Sequence, residues 1–184
     1  MTNMKDGVHS YEMIAPDTYR IDEKGLVNCY LLLGETKALL IDSGVGIGDI
    51  LGSVRELTSL PVTLALTHRH CDHAGGRNAF PDYFVHKADK PAIFGLLSSK
   101  LACNVLLKAN KVTDFKLTKK PYHSHAHYFD ESFTLDLGGR SIRILSCPGH
   151  TPGSVVYLDD KTHLMFTGDD SIRISGCSCR AARL

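Results

Sequence analysis

The sequence predicts a mixed α/β fold. The continuous apolar run "PVTLAL" is typical of a strand that is buried on both faces of a sheet. The preceding segment "DILGSVREL" has the apolar spacing of a surface helix, and Asp49 is positioned to cap it. Short alternating runs separated by polar turns follow in the second half of the chain and predict antiparallel hairpins. A helix between strands, combined with these hairpins, indicates the α/β class.

The length and composition predict one soluble domain over residues 1–184. The chain has 184 residues, of which 43% are hydrophobic and 22% charged, and this is ordinary for a globular protein with one core. It contains no internal repeat, low-complexity tract or linker. The formal net charge of +1 gives no general attraction to nucleic acid or to an anionic membrane, so neither partner is expected.

The remaining elements follow from runs of similar pattern along the chain. Further strands are predicted at "DTYRID", "VNCYLLLG", "ALLID", "DYFVH", "SFTLDL", "RSIRILS", "GSVVYLDD" and "KTHLMFTG". Further helices are predicted to begin at "AGGRNAF" and to cover "KADKPAIFGLL", whereas the pattern from Ser98 to Lys120 is mixed. The histidine-rich stretch "YHSHAHYF" is predicted as a polar loop near the mouth of an active site.

The amino-terminal segment and the cysteines bear on the compartment. The first residues lack the apolar core and cleavage site of a signal peptide, and no apolar run approaches the ~20 residues that span a bilayer. We therefore expect a cytoplasmic protein. In that compartment the six cysteines are expected to be reduced thiols rather than a disulfide framework.

The stretch "LALTHRHCDHAGG" places three histidines and one aspartate within six positions, directly after a predicted strand. In an extended segment, residues two apart project to the same side, so His68 and His70 are able to reach one ion together. Asp72 and His73 follow after the chain has turned and face a second point nearby. Imidazole and carboxylate groups are ligands of zinc and similar divalent ions.

Two later loops supply further candidate ligands. His150 lies in "CPGHTPGS" after the strand "SIRIL", and Asp169 lies in "FTGDD" after the strand "HLMF". Because every candidate follows a strand, a rigid sheet is able to hold them in fixed positions.

These motifs resemble those of the metallo-β-lactamase superfamily. "THRHCDHAGG" resembles its H-x-H-x-D-H signature, and "PGHTPGS", "FTGDD" and "LLIDSG" resemble three further motifs in the expected order. The resemblance implies an αββα sandwich of two mixed sheets flanked by helices, with metals at one edge. The metal ligands it implies are His68, His70 and His150 for a first ion, Asp72 and His73 for a second, and Asp169 as a bridge.

The resemblance also implies a reaction. A metal-bound hydroxide would cleave an ester, thioester, lactone or amide bond of a small-molecule substrate. Asp72 would be the catalytic residue that orients the hydroxide and shuttles its proton. The implied cofactor is Zn²⁺, with up to two ions, and iron or manganese are alternatives.

Two other functions stay open at this point. The same signature also resembles persulfide dioxygenases, in which His68, His150 and Asp169 would hold one iron. A folded metal-binding remnant with little activity is the third alternative.

The carboxy terminus departs from the pattern of the superfamily. Binuclear members usually take a further histidine from a loop beyond the bridging aspartate, and "DSIRISGCSCRAARL" contains none. Residues 171–184 read as an atypical tail, and the C-terminal part of the sandwich is expected to be incomplete. We therefore expect a weakly held second ion and a tendency to form homo-oligomers. Cys177 or Cys179 is an alternative ligand of this ion, but two plain thiols in the tail is the favoured interpretation, because C-x-C alone is a weak zinc signal.

Overall fold

The computed structural model describes residues 1–90, 95–113 and 121–170. These residues form twelve strands, three α-helices and two short 3-10 helices, Arg77–Ala79 and Lys87–Asp89. The strands are β1 (Thr2–Asn3), β2 (His9–Ala15), β3 (Thr18–Glu23), β4 (Val27–Leu33), β5 (Ala38–Ile41), β6 (Val62–Ala65), β7 (Asp82–His86), β8 (His125–Phe129), β9 (Phe133–Asp136), β10 (Ser141–Ser146), β11 (Val155–Asp159) and β12 (Met165–Phe166). The helices are α1 (Ile50–Leu57), α2 (Cys71–Ala74) and α3 (Gly95–Ala109).

The strands form two sheets. The first has eight strands in the order β1 to β8, and the second has four in the order β12-β11-β10-β9. Neighbours from β1 to β5 are antiparallel, whereas β5, β6, β7 and β8 are parallel. Helix α1 makes the crossover between β5 and β6, and Asp49 caps it by accepting from the backbone N–H of Gly52 over 3.1 Å.

The apolar runs of the sequence are explained by burial of the first sheet on both faces. In β4, Leu31 packs into the cluster that includes Ile50 and Val54 of α1. The neighbouring Leu32 points the other way, into the cluster that includes Ile144 of the second sheet. A helix, the first sheet and the second sheet are therefore stacked in layers, and the predicted mixed α/β fold with two sheets is confirmed.

Several local predictions differ from the structure. The second sheet was expected to be mixed, but its described strands are antiparallel. The stretch "YHSHAHYF" is predicted as a loop, but its residues His125–Phe129 form β8 at the edge of the first sheet. The helices predicted at "AGGRNAF" and "KADKPAIFGLL" are displaced: one turn of helix already begins at Cys71, and the longer helix runs from Gly95 to Ala109. None of the helices in the described part is both long and apolar enough to cross a bilayer.

Two buried polar clusters contain none of the predicted ligands. Arg140 pairs with Asp159 through Nη2 at 2.6 Å and Nε at 3.1 Å, with both side chains fully buried. Nη1 of Arg140 also donates to the carbonyl oxygen of Leu33 over 2.9 Å, which joins the second sheet to the first. In the other cluster, the Asp6 carboxylate contacts Nδ1 of the buried His9, whose Nε2 is 3.7 Å from Glu23.

Candidate metal centre

The side chains predicted as metal ligands lie together beside the ends of strands from both sheets. The loop after β6 and helix α2 carry four of them, and the loops after β10 and β12 carry one each: His68, His70, Asp72, His73, His150 and Asp169. The backbone N–H of Val155 donates to the carbonyl oxygen of Thr67 over 3.0 Å, which joins the loop after β6 to the second sheet. The metal-ligand atoms of the six side chains form two groups that share Asp169.

The first group contains His68, His70, His150 and Asp169, with one donor atom of each residue within 4.8 Å of the others. Nδ1 of His70 is 2.8 Å from Nε2 of His150. Oδ2 of Asp169 is 3.3 Å from Nε2 of His150 and 3.9 Å from Nε2 of His68. Three imidazole nitrogens and one carboxylate oxygen around one point match the coordination number and ligand types of a zinc site.

The second group contains Asp72, His73 and Asp169. Nε2 of His73 is 3.1 Å from Oδ1 of Asp169 and 3.9 Å from Oδ2 of Asp72. The two carboxylate oxygens of Asp169 therefore face different groups, Oδ2 the first and Oδ1 the second. A carboxylate in this position is able to contact both ligand groups.

Helix α2 lies directly against the glycine-rich turn that follows β5. The backbone N–H and the hydroxyl of Ser43 both donate to the carbonyl oxygen of His73, at 2.7 Å and 3.1 Å. A Cβ atom on Gly75 would lie 2.0 Å from the carbonyl oxygen of Val45, so only glycine permits this approach. The sequence "SGVGIG" thus fixes the position of the helix that carries Asp72 and His73.

Asp42 and Thr67 orient two of the histidines. Oδ2 of Asp42 accepts from Nδ1 of His73 over 2.7 Å and from the Thr67 hydroxyl over 2.8 Å. Because that hydroxyl gives its proton to Asp42, it accepts from Nδ1 of His68, 3.1 Å away. Both histidines therefore turn Nε2 towards Asp169, which the two ligand groups share. The motif "LLIDSG" contains Asp42, but the sequence predicts no role for Asp42 or for Thr67.

The pKa values of the buried histidines in the two groups shift in opposite directions. Burial lowers the pKa of His68 to about 4, with a smaller contribution from the charge of His73, and this keeps His68 a neutral ligand. Burial also lowers the pKa of His73, but Asp42 and Asp169 outweigh it and raise the value to about 10. The hydrogen bond from His73 lowers the pKa of Asp169 to about 2. A cation in the second group would take the place of the proton on His73.

The residues fit a divalent ion on one further observation. Nε2 of His68 is buried and makes no hydrogen bond to any described residue. A buried acceptor without a partner costs about 1–3 kcal/mol, so this atom calls for a ligand in its place. An ion held by the first group would supply that partner.

Cys71, between His70 and Asp72 in the sequence, forms a disulfide with Cys103 of α3, and their Cα atoms are 6.0 Å apart. The prediction that all cysteines are reduced thiols is wrong for this pair. The sequence could not reveal it, because the two residues are 32 positions apart and belong to separate helices. Cys29 and Cys147 are free within the described part of the chain.

Other candidates do not join the two groups. His125 and His127 lie on β8, where Nε2 of His127 is 3.6 Å from the exposed carboxylate of Asp82, and no further ligand group forms there among the described residues. The alternative ligands Cys177 and Cys179, and the tail 171–184, lie outside the described residues.

Comparison with known proteins decides the family. The sequence profile of the metallo-beta-lactamase superfamily matches residues 22–171. The chain belongs to this superfamily. The matched span contains every predicted ligand, so the candidate metal centre lies within the part of the chain that resembles the superfamily.

Relatives and solved structures agree with this assignment. This chain is 26% identical over 163 residues to the acyl-coenzyme A thioesterase MBLAC2 of Gallus gallus. The match covers 77% of this chain and 56% of that protein. The archaeal superfamily protein ST1585 of Sulfolobus tokodaii is 25% identical, with a TM-score of 0.60 over 78% of this chain and 57% of its own. The FEZ-1 metallo-beta-lactamase of Legionella gormanii shares the fold, with 20% identity and a TM-score of 0.56 over 89% of this chain and 65% of its own. The chain thus spans less than two thirds of these proteins.

Proposed function

We propose that the chain provides the metal centre of a hydrolase that cleaves an ester, thioester, lactone or amide bond of a small-molecule substrate. The observation that carries this proposal is the sharing of Asp169 by two ligand groups, with its oxygens facing His150 on one side and His73 on the other. We propose Zn²⁺ as the ion of the first group, because three imidazoles and one carboxylate suit zinc.

The chemistry that bound divalent ions supply is activation of a water molecule and polarisation of a carbonyl group. The residues of the chain supply the rest. Asp72 has a partly exposed side chain, 27% accessible, so its carboxylate is able to meet a water molecule and a substrate. As a carboxylate of the second group, Asp72 orients the attacking water and takes up its proton. Asp42 keeps His73 in position throughout by its 2.7 Å hydrogen bond.

A thioester is the first substrate class to test. The support is the name of one relative, an acyl-coenzyme A thioesterase that is 26% identical over 163 residues. The exposed Arg69 lies between His68 and His70 in the loop beside the centre. Burial and the neighbouring His150 lower the pKa of His70, and the charge of Arg69 lowers it further. An exposed cation at this place suits a substrate that carries an anionic group.

The experiment is a hydrolysis assay of the zinc-loaded chain with an acyl-coenzyme A thioester, a lactone and an activated ester. We expect turnover of at least one substrate, and a loss of at least about 100-fold in Asp72→Asn, in line with the contribution of a general base. Asp82→Asn is the matched control, because Asp82 is an exposed carboxylate outside both groups. Equal rates in wild type and Asp72→Asn would refute the proposal. So would oxygen consumption with glutathione persulfide in the absence of any hydrolysis.

A further inference from the structure

Asp89 is a buried carboxylate that the metal groups do not include. It ends the short 3-10 helix Lys87–Asp89 after β7, and its exposed fraction is 0%. A carboxylate is buried at this depth only when hydrogen bonds compensate its lost hydration. The partners of Asp89 are therefore informative.

Among the described residues, the three groups that donate to Asp89 belong to the two loops that carry the histidines of the first ligand group. Oδ2 accepts from the backbone N–H of Arg69 over 2.8 Å and from the hydroxyl of Thr151 over 2.9 Å. Oδ1 accepts from the backbone N–H of Gly153 over 2.9 Å. Arg69 stands between His68 and His70, and Thr151 directly follows His150.

The loop of His150 is shaped to receive this carboxylate. A Cβ atom on Gly153 would lie 2.7 Å from Oδ1 and from Cγ of Asp89, so the approach requires glycine. The backbone N–H of Thr151 donates to the hydroxyl of Ser154 over 3.0 Å, which closes the loop into a tight turn around the bond to Asp89. Two loops that are about 80 residues apart in sequence thus meet on one carboxylate.

We propose that Asp89 is a positioning residue that holds the loop of His68 and His70 against the loop of His150. It acts through these loops and sets the separation of the ligand nitrogens, of which Nδ1 of His70 and Nε2 of His150 are 2.8 Å apart. The inference rests on the proposed metal centre and adds a residue on which its affinity depends. An asparagine would place an NH₂ group against one of the N–H donors, so it cannot reproduce all three bonds.

The test compares Zn²⁺ affinity by competition with a chromophoric chelator and the visible spectrum of the Co²⁺-loaded chain. We expect Asp89→Asn to weaken binding about 10–100-fold, the usual effect of losing a group that orients metal ligands. Thr151→Val should weaken it less, and Thr151→Ser should restore it, because serine keeps the hydroxyl. The Co²⁺ spectrum should change in Asp89→Asn, since the ligands themselves move.

Asp159→Asn is the matched control, because it also changes a fully buried carboxylate with several hydrogen bonds. Asp159 ends β11, and Val155, the residue that contacts the metal-site loop, begins that strand. Because Asp159 is four residues from Val155 along the strand, it lies roughly 13 Å from that contact. We expect this control to lower the midpoint of urea unfolding while leaving the affinity and the Co²⁺ spectrum unchanged.

Wild-type affinity in both Asp89→Asn and Thr151→Val would overturn the inference, as would equal losses in Asp89→Asn and Asp159→Asn. A wild-type chain without metal affinity would overturn the proposed function instead. In that case, the amide chemical shifts of the metal-free chain, recorded by NMR, test the positioning role of Asp89. Joint shifts at both loops in Asp89→Asn, absent in Asp159→Asn, would support its positioning role, and shifts confined to one loop would overturn it.

Discussion

His73 donates from Nδ1 to Oδ2 of Asp42 over 2.7 Å, and the two side chains are 2% and 3% exposed. This bond fixes which nitrogen of His73 faces Asp169 and the second ligand group. Asp42→Asn keeps the size of the side chain and removes its charge. We expect it to weaken metal binding about 10–100-fold, as measured by calorimetric titration, because an orienting partner of a ligand is lost.

The control for this variant is Asp136→Asn, which changes an exposed carboxylate at the end of β9. It should titrate like the wild type. Identical binding isotherms for Asp42→Asn and Asp136→Asn would contradict the orienting role of Asp42.

The sequence predicts those parts of the molecule whose patterns are local. The runs in β4, β5 and β6 are apolar because both faces of these strands are buried, and the six ligands occupy motifs of fixed spacing. Strand β8 is not predicted, because its histidines are exposed at the sheet edge and therefore do not show the apolar pattern of a buried strand. Asp42 acts on a residue 31 positions away, and Asp89 on residues 62 and 64 positions away, so neither spacing is visible in the chain.

The cluster of Asp6 and His9 predicts a pH window for stability. Burial raises the pKa of Asp6, but backbone N–H donors from Asp49, His9 and Val8 outweigh it and lower the value to about 2. Burial lowers the pKa of His9, but the carboxylates of Glu23 and Asp6 outweigh it and raise the value above 6.5. The Asp6 contribution is present above its ordinary pKa of 3.8 and is lost as the pH falls towards 2. The His9 contribution is full below 6.5 and is lost as the pH rises further.

Urea unfolding of the metal-free chain in chelator tests this window. The difference in unfolding free energy between wild type and His9→Gln should be largest between about pH 4 and 6.5 and should shrink at higher pH. The metal ligands titrate in both proteins, so their contribution cancels in the difference. A difference that grows with pH above 6.5 would show that His9 is not stabilised as a cation.

The disulfide between Cys71 and Cys103 predicts a loss of stability on reduction. Closing a loop of this length is worth about 2–4 kcal/mol in unfolding free energy. We expect dithiothreitol to lower the stability of the wild type by that amount and to leave Cys103→Ser, already destabilised, unchanged. Cys147→Ser is the control and should behave as the wild type. Equal thiol titres of the denatured wild type before and after reduction would refute the prediction.

The metal content of the purified chain shows whether the first ligand group holds a divalent ion. Wild type, His68→Ala and the control His163→Ala, whose histidine is exposed and outside both ligand groups, would be purified without chelator and analysed by mass spectrometry for zinc, iron and manganese. We expect bound divalent metal in wild type and His163→Ala and a marked loss in His68→Ala, because His68 presents its buried Nε2 to the first group. Equal metal contents in wild type and His68→Ala would show that the first group holds no metal.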